Sequence, residues 1–122
     1  MKEVLDTNVL LRFLVGDVPA QHRLAETWFK DAETGKRSIV VIPLVVAEAT
    51  YVLEKFYRKS REEIADSLEI FLSQRWLEIP ERDVLLGLWS RYRKGLHFVD
   101  SFLWSWSQEN DGRVLTFDKG IK

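Results

Sequence analysis

Four short runs, at residues 4–5, 38–42, 76–79 and 113–117, are β-branched or otherwise apolar, and longer segments with helical spacing separate them. A chain in which strands alternate with helices from end to end is confined to an α/β architecture, with the strands joined into a central parallel sheet. The helical segments announce their own ends. The run 9–15 stops at Gly16-Asp17, and Pro19 suits the first turn of a second helix with Leu24, Ala25, Trp28 and Phe29 at helical spacing before Gly35. Trp28 reads as a core residue. Pro43 opens a helix over about 44–57, and Ser60 with Glu63 three residues later is the signature of a capping box for a helix through Leu72. Two more follow, at about 83–94 before Gly95 and at 96–106.

With 122 residues and 46% hydrophobic content the chain has enough apolar side chain for one domain, spanning 1–122, and no room for a second. Eighteen basic and nineteen acidic residues leave a formal net charge of −1, so nucleic acid could be bound only by a local patch. Arg12, Arg91, Arg93, Lys94 and Lys119 are the candidates for such a patch. For Arg91, Arg93 and Lys94 the alternative is compensation of a helix dipole. The absence of cysteine excludes disulfides and thiolate chemistry and agrees with a cytoplasmic location. No run is long enough to span a bilayer, and neither membrane insertion nor secretion is expected.

Acids stand where the pattern leaves ligand sites. Val4-Leu5 is followed at once by Asp6-Thr7-Asn8, and the fourth run ends on Asp118. In open parallel sheets ligands bind in the crevice beyond the strands' carboxyl ends, so Asp6 and Asp118 are expected on one such edge. Asp6 could instead cap the helix that follows. Glu48 falls within the expected stripe Val45, Ala49, Val52 and Phe56 and should lean towards the core. A carboxylate there costs roughly several kcal/mol unless paired, with Arg12 as one partner, protonated or bound to metal. Asp100 is the acid of an otherwise apolar and aromatic helix start, where capping and dipole stabilisation compete with a site role. Four carboxylates brought together repel one another unless cations intervene. Oxygen-only donors suit Mg²⁺ or Mn²⁺, and ions so held can hydrolyse a phosphodiester.

The segments Asp6-Thr7-Asn8-Val9-Leu10-Leu11, Val46-Ala47-Glu48, Phe98-Val99-Asp100 and Leu115-Thr116-Phe117-Asp118 together resemble the PIN-domain ribonucleases, and among them the VapC-like toxins of toxin–antitoxin pairs. That resemblance implies a three-layer α/β/α fold with a parallel sheet ordered 3-2-1-4-5. Four of its strands are read in this sequence, and a fifth would lie beyond Lys122. It also implies that Asp6, Glu48, Asp100 and Asp118 are the metal-binding catalytic acids of a Mg²⁺- or Mn²⁺-dependent endoribonuclease, supported by Asn8 and Thr116. An RNA substrate, an antitoxin covering the cleft and a homodimer come with the same resemblance. His97 stands where related toxins often carry an acid. Two other classes fit an acid after the first strand. One is an aspartyl phosphoacceptor or phosphatase, for which Lys119 would be the late lysine, and the other is an inactive PIN-like binding module.

Overall fold

The computed structural model describes residues 1–119. In chain order the elements are β1 (Lys2–Val4), α1 (Thr7–Val15), α2 (Pro19–Glu33), β2 (Ser38–Val40), α3 (Pro43–Lys55), α4 (Arg61–Leu72), α5 (Arg82–Gly87), α6 (Trp89–Arg93) and α7 (Phe98–Glu109). β1 and β2 run parallel, with Lys2 beside Ser38, Glu3 beside Ile39 and Val4 beside Val40. The Leu5 N–H extends the ladder by donating to the Val40 carbonyl at 2.8 Å.

The sheet is smaller than the four or five strands expected: among the described residues it has two strands. The expected third strand, 76–79, lies on the other side of β2 but is reduced to one parallel bridge between Val40 and Glu78. There Glu78 donates to the Ile39 carbonyl, and Val41 donates to the Glu78 carbonyl, both at 2.9 Å. The expected fourth strand, 113–117, joins no ladder, and Leu115 and Phe117 stand almost fully exposed at 95% and 107%. Strand pairing is a non-local event, and an apolar alternating run does not carry its partner in its own sequence. β1 therefore keeps an open outer edge among the described residues, and Val4, from the first apolar run, is 63% exposed. A fifth strand, expected beyond Lys122 if the sheet has more than four, falls outside the described residues.

The helices begin and end where local chemistry dictates. Gly16 closes α1 in the left-handed region at φ 72°, its N–H donating to the Arg12 carbonyl. Pro19 and Pro43 are the first residues of α2 and α3. Ser60 and Glu63 form both hydrogen bonds of the capping box, and the bonds from Ser60 hold the Glu63 carboxyl below its ordinary range. One helix departs from expectation. The segment 83–94 is divided into α5 and α6 at Leu88. Gly87 lies so close to α7 that a Cβ would meet the Ser105 hydroxyl at 2.7 Å. Ser105 in turn donates to the Val84 carbonyl at 2.8 Å, engaging a backbone acceptor of α5 from outside the helix.

Fully buried Leu10, Val41, Val46, Leu68, Trp89 and Tyr92 mark the core, each burial of this kind contributing about 1.5–3 kcal/mol. Trp89 and Tyr92 meet edge to face at 5.3 Å. The inner face of α7 differs from the apolar one expected. It mixes the buried serines Ser101 and Ser105, small enough for close approach of α5, with Phe98 and Phe102, which pack on the core; Ser107, also buried, lies about 120° round the helix from Ser101. Trp104 lies under the Arg91 guanidinium, 4.3 Å from the ring centre, and Trp106 is 42% exposed.

Candidate metal and nucleic-acid site

Asp6 is the N-cap residue of α1, with an extended backbone at φ −83° and ψ 144°, yet its side chain caps nothing. Its carbonyl receives the Val9 and Leu10 N–H groups at 3.1 and 3.3 Å, which leaves the carboxylate exposed at the carboxyl end of β1. Asn8 is exposed in the first turn of the same helix. Since β1 and β2 are parallel, α3 starts from the same edge of the sheet, three residues after β2 ends.

Glu48 does not lean into the core. The buried positions of α3 are Val45, Val46, Ala49, Thr50 and Leu53, so the stripe is centred between Ala49 and Leu53. At 100° per residue Glu48 lies about 130° from that centre, and its side chain is exposed. Phe56, the last residue of the expected stripe, has the phase of the buried face but is the C-cap residue beyond the last turn of α3, and it is 74% exposed. The pairing of Glu48 with Arg12 is also absent among the described residues. Arg12 instead donates to Gln21 at 2.9 Å and to the Tyr57 hydroxyl at 3.0 Å, and lies 3.5 Å from Asp17. Burial, and the hydrogen bond Tyr57 donates to Asp17, push the Tyr57 hydroxyl above its ordinary value.

Asp100 is half-buried in the first turn of α7, and α7 packs on α3, which packs on α1. Asp118 is exposed beyond the unpaired segment 113–117, its N–H donating to the Thr116 hydroxyl at 3.0 Å. Asp6, Glu48 and Asp100 are thus carried by three helices packed in series, α1, α3 and α7, and Asp118 sits apart from any strand ladder. Among the described residues no group of three or more Asp, Glu or His side chains is gathered to hold a metal ion. The donor chemistry still suits a hard dication. Among the described residues no hydrogen bond or ion pair engages the carboxylates of Asp6, Glu48 or Asp100, whereas Glu3, Asp31, Glu54, Glu62, Asp66 and Glu69 are all held by arginines.

The expected basic rim divides. Arg93 is not a free cation: Glu62, Asp66 and Glu69 of α4 surround it at 3.1, 2.6 and 2.5 Å and push its pKa upward. Arg91 is stacked on Trp104, while Lys94 and Lys119 are exposed. The sequence pattern did not reveal the network joining Arg12, Tyr57 and Asp17, because its members come from distant segments. Nor did it reveal that Trp28 borders two open hollows.

No described helix is long and apolar enough to cross a membrane. A family model described as PIN domain matches residues 4–122. No curated protein and no solved structure matches the chain.

Proposed function

The chain belongs to the PIN domain family, whose members are generally nucleases, and on that premise we propose that it is a metal-dependent endoribonuclease acting in the cytoplasm as the toxin of a toxin–antitoxin pair. The observation that carries the proposal is the set of carboxylates at Asp6, Glu48 and Asp100, which no cation in the described structure engages, on helices packed in series from the sheet's carboxyl edge. Asp118 joins them when segment 113–117 pairs with the open edge of β1, which aligns the two strand-terminal acids. When bound, Mg²⁺ or Mn²⁺ supplies the charge that activates a water and stabilises the leaving oxygen of an in-line displacement.

The chain's own residues do the rest. Asp6, Glu48, Asp100 and Asp118 would hold the dications, the Asn8 amide would orient an oxygen of the substrate, and Thr116 accepts the Asp118 N–H and so fixes its backbone. RNA is drawn to a rim of Arg91, Lys94 and Lys119; Arg93 adds little because three carboxylates neutralise it, and Arg12 adds little because Asp17 balances it. The acting species is a homodimer. An antitoxin silences it by placing an arginine, whose planar fork matches a carboxylate, on the exposed acids.

The test is cleavage of single-stranded RNA with Mg²⁺, with Mn²⁺ and with chelator, for the unaltered chain and for Asp6→Asn. Cleavage that needs metal and disappears in the variant is expected. An Asp6→Asn chain of full activity refutes the assignment. Expression of the chain alone should arrest growth, and co-expression with its antitoxin should relieve it.

A further inference from the structure

Two open hollows, of about 170 and 230 Å³, share Val9 and Trp28 and adjoin there, making a trough beside α1 and α2 that reaches the end of β1. Asp6 and Glu3 stand at one end, where the Arg37 guanidinium lies over the Trp28 ring at 5.8 Å from its centre, and Asn8, Gln21 and Arg12 stand at the other. Trp28 has this position because of its place on α2. Ala25, Phe29 and Ala32 form the buried face of that helix, and Trp28 sits at its margin, half-buried, packed on the core yet bordering the trough. We propose that this trough is a nucleobase subsite in which Trp28 stacks a base of the RNA strand next to the phosphate being cleaved. The inference rests on the nuclease reading above and adds to it a site for the substrate's base.

Three features favour a base over another occupant. The trough is continuous with Asp6, and Val9, at its centre, is one helical turn from that carboxylate, about 5 Å along the axis. That is the span of roughly one nucleotide. The trough also joins an aromatic ring to polar groups at its rim. The exposed Asn8 amide carries both a donor and an acceptor for the edge of a base, and the Gln21 side chain is already oriented by Arg12. Its two guanidinium groups are each balanced by a carboxylate, Arg12 by Asp17 and Arg37 by Glu3. Attraction of bulk anionic charge is therefore weak here, and stacking, which every base offers, is the larger contribution.

The balance of charge gives the subsite a signature distinct from that of a basic rim. Loss of stacking lowers affinity by the same factor at every salt concentration, whereas loss of a phosphate contact flattens the salt dependence. The experiment is binding of a fluorescent single-stranded RNA decamer, in chelator so that nothing is cleaved, at several KCl concentrations. A decamer of the same length with abasic residues is measured alongside. Trp28→Ala should bind the intact RNA about 5- to 150-fold more weakly, with an unchanged salt slope. Trp28→Phe should retain most of the affinity. The unaltered chain should lose affinity for the abasic RNA by a similar factor, and Trp28→Ala should lose little more.

Trp28→Ala binding equal to that of the unaltered chain refutes the subsite. If that variant does not fold, the abasic comparison on the unaltered chain decides: equal affinity for the two RNAs refutes it as well. RNA cleavage that persists beside either result leaves the nuclease reading standing and removes the subsite alone. An unaltered chain that neither binds nor cleaves RNA removes both.

Discussion

Arg82 offers the sharpest test of how the end of α4 is fastened to the sheet. Its guanidinium donates to the carbonyls of Leu72, Gln74 and Leu77, at 3.0 Å for Gln74 and 2.6 Å for Leu77. Leu72 ends α4, and Leu77 precedes the bridge at Glu78, so one side chain ties together the turn that carries the chain from helix to sheet. The environment is partly desolvated, and that burial lowers the Arg82 pKa without threatening its charge. Hydrogen bonds from a charged donor contribute about 1.5–3 kcal/mol each. The three are close to solvent and share two nitrogens, so about 1 kcal/mol apiece is the better figure, or roughly 3 kcal/mol for Arg82→Ala. For a domain of this size that is a fall in Tm of about 10 °C. Arg82→Lys should recover at most a third of it, because an ammonium is a single point of charge and cannot span three carbonyls. Urea unfolding followed by circular dichroism gives both quantities. An Arg82→Ala chain within about 0.5 kcal/mol of the unaltered one at unchanged m-value would falsify the reasoning, since only near-neutral surface substitutions fall in that range.

Tyr92 is fully buried and donates to Glu54 at 2.8 Å; burial first, and Glu54 second, raise its pKa above 10.0. A raised folded-state value means that the stabilisation is complete below about pH 10 and is lost as pH climbs above it, where the unfolded chain ionises first. Tyr92→Phe should therefore cost about 1–2 kcal/mol at pH 8 and progressively less above pH 10, as read by thermal melts across that range. Leu115→Lys combined with Phe117→Lys should leave Tm unchanged and cut RNA cleavage at least about tenfold, because both side chains are exposed until segment 113–117 meets β1; undiminished cleavage would rule out that docking. Lys94→Glu should weaken RNA binding and lower its salt slope, whereas Arg93→Gln should lower stability and leave RNA affinity alone. The opposite pattern would return Arg93 to the binding surface.

What could be read in the sequence was what nearest neighbours decide. Gly16, Pro19, Pro43 and the Ser60–Glu63 pair each fix a helix end through their own backbone chemistry, and each stands where the pattern put it. The parallel relation of the first two strands followed from the helices between them. Whatever depends on distant partners was less legible. Residues 76–79 have the alternation of a strand but form one bridge, and 113–117 has it without any ladder among the described residues. Glu48 shows how finely a site can turn on helix phase. Val45, Ala49, Val52 and Phe56 satisfy helical spacing as well as the observed stripe does, and choosing between two such stripes needs the neighbours of α3, not α3 alone. Asp6 was ambiguous in sequence between cap and site. Its backbone takes the cap position, and its carboxylate remains uncommitted.

The contact at Gly87 makes α5 a mechanical stop for the helix that bears Asp100. Nothing at Gly87 can take part in chemistry, yet one added carbon would press on Ser105, whose hydroxyl is already anchored to α5. Ser105 is five residues along the same rigid rod as Asp100, about 7.5 Å away, and a rod displaced at one point carries its whole length with it. A shift of 1 Å in a catalytic group can cost about a hundredfold in rate. The absence of a methyl group therefore acts as a gauge that sets the seating of α7, and on the proposed nuclease reading the placing of Asp100 depends on a position that a search among polar residues would pass over.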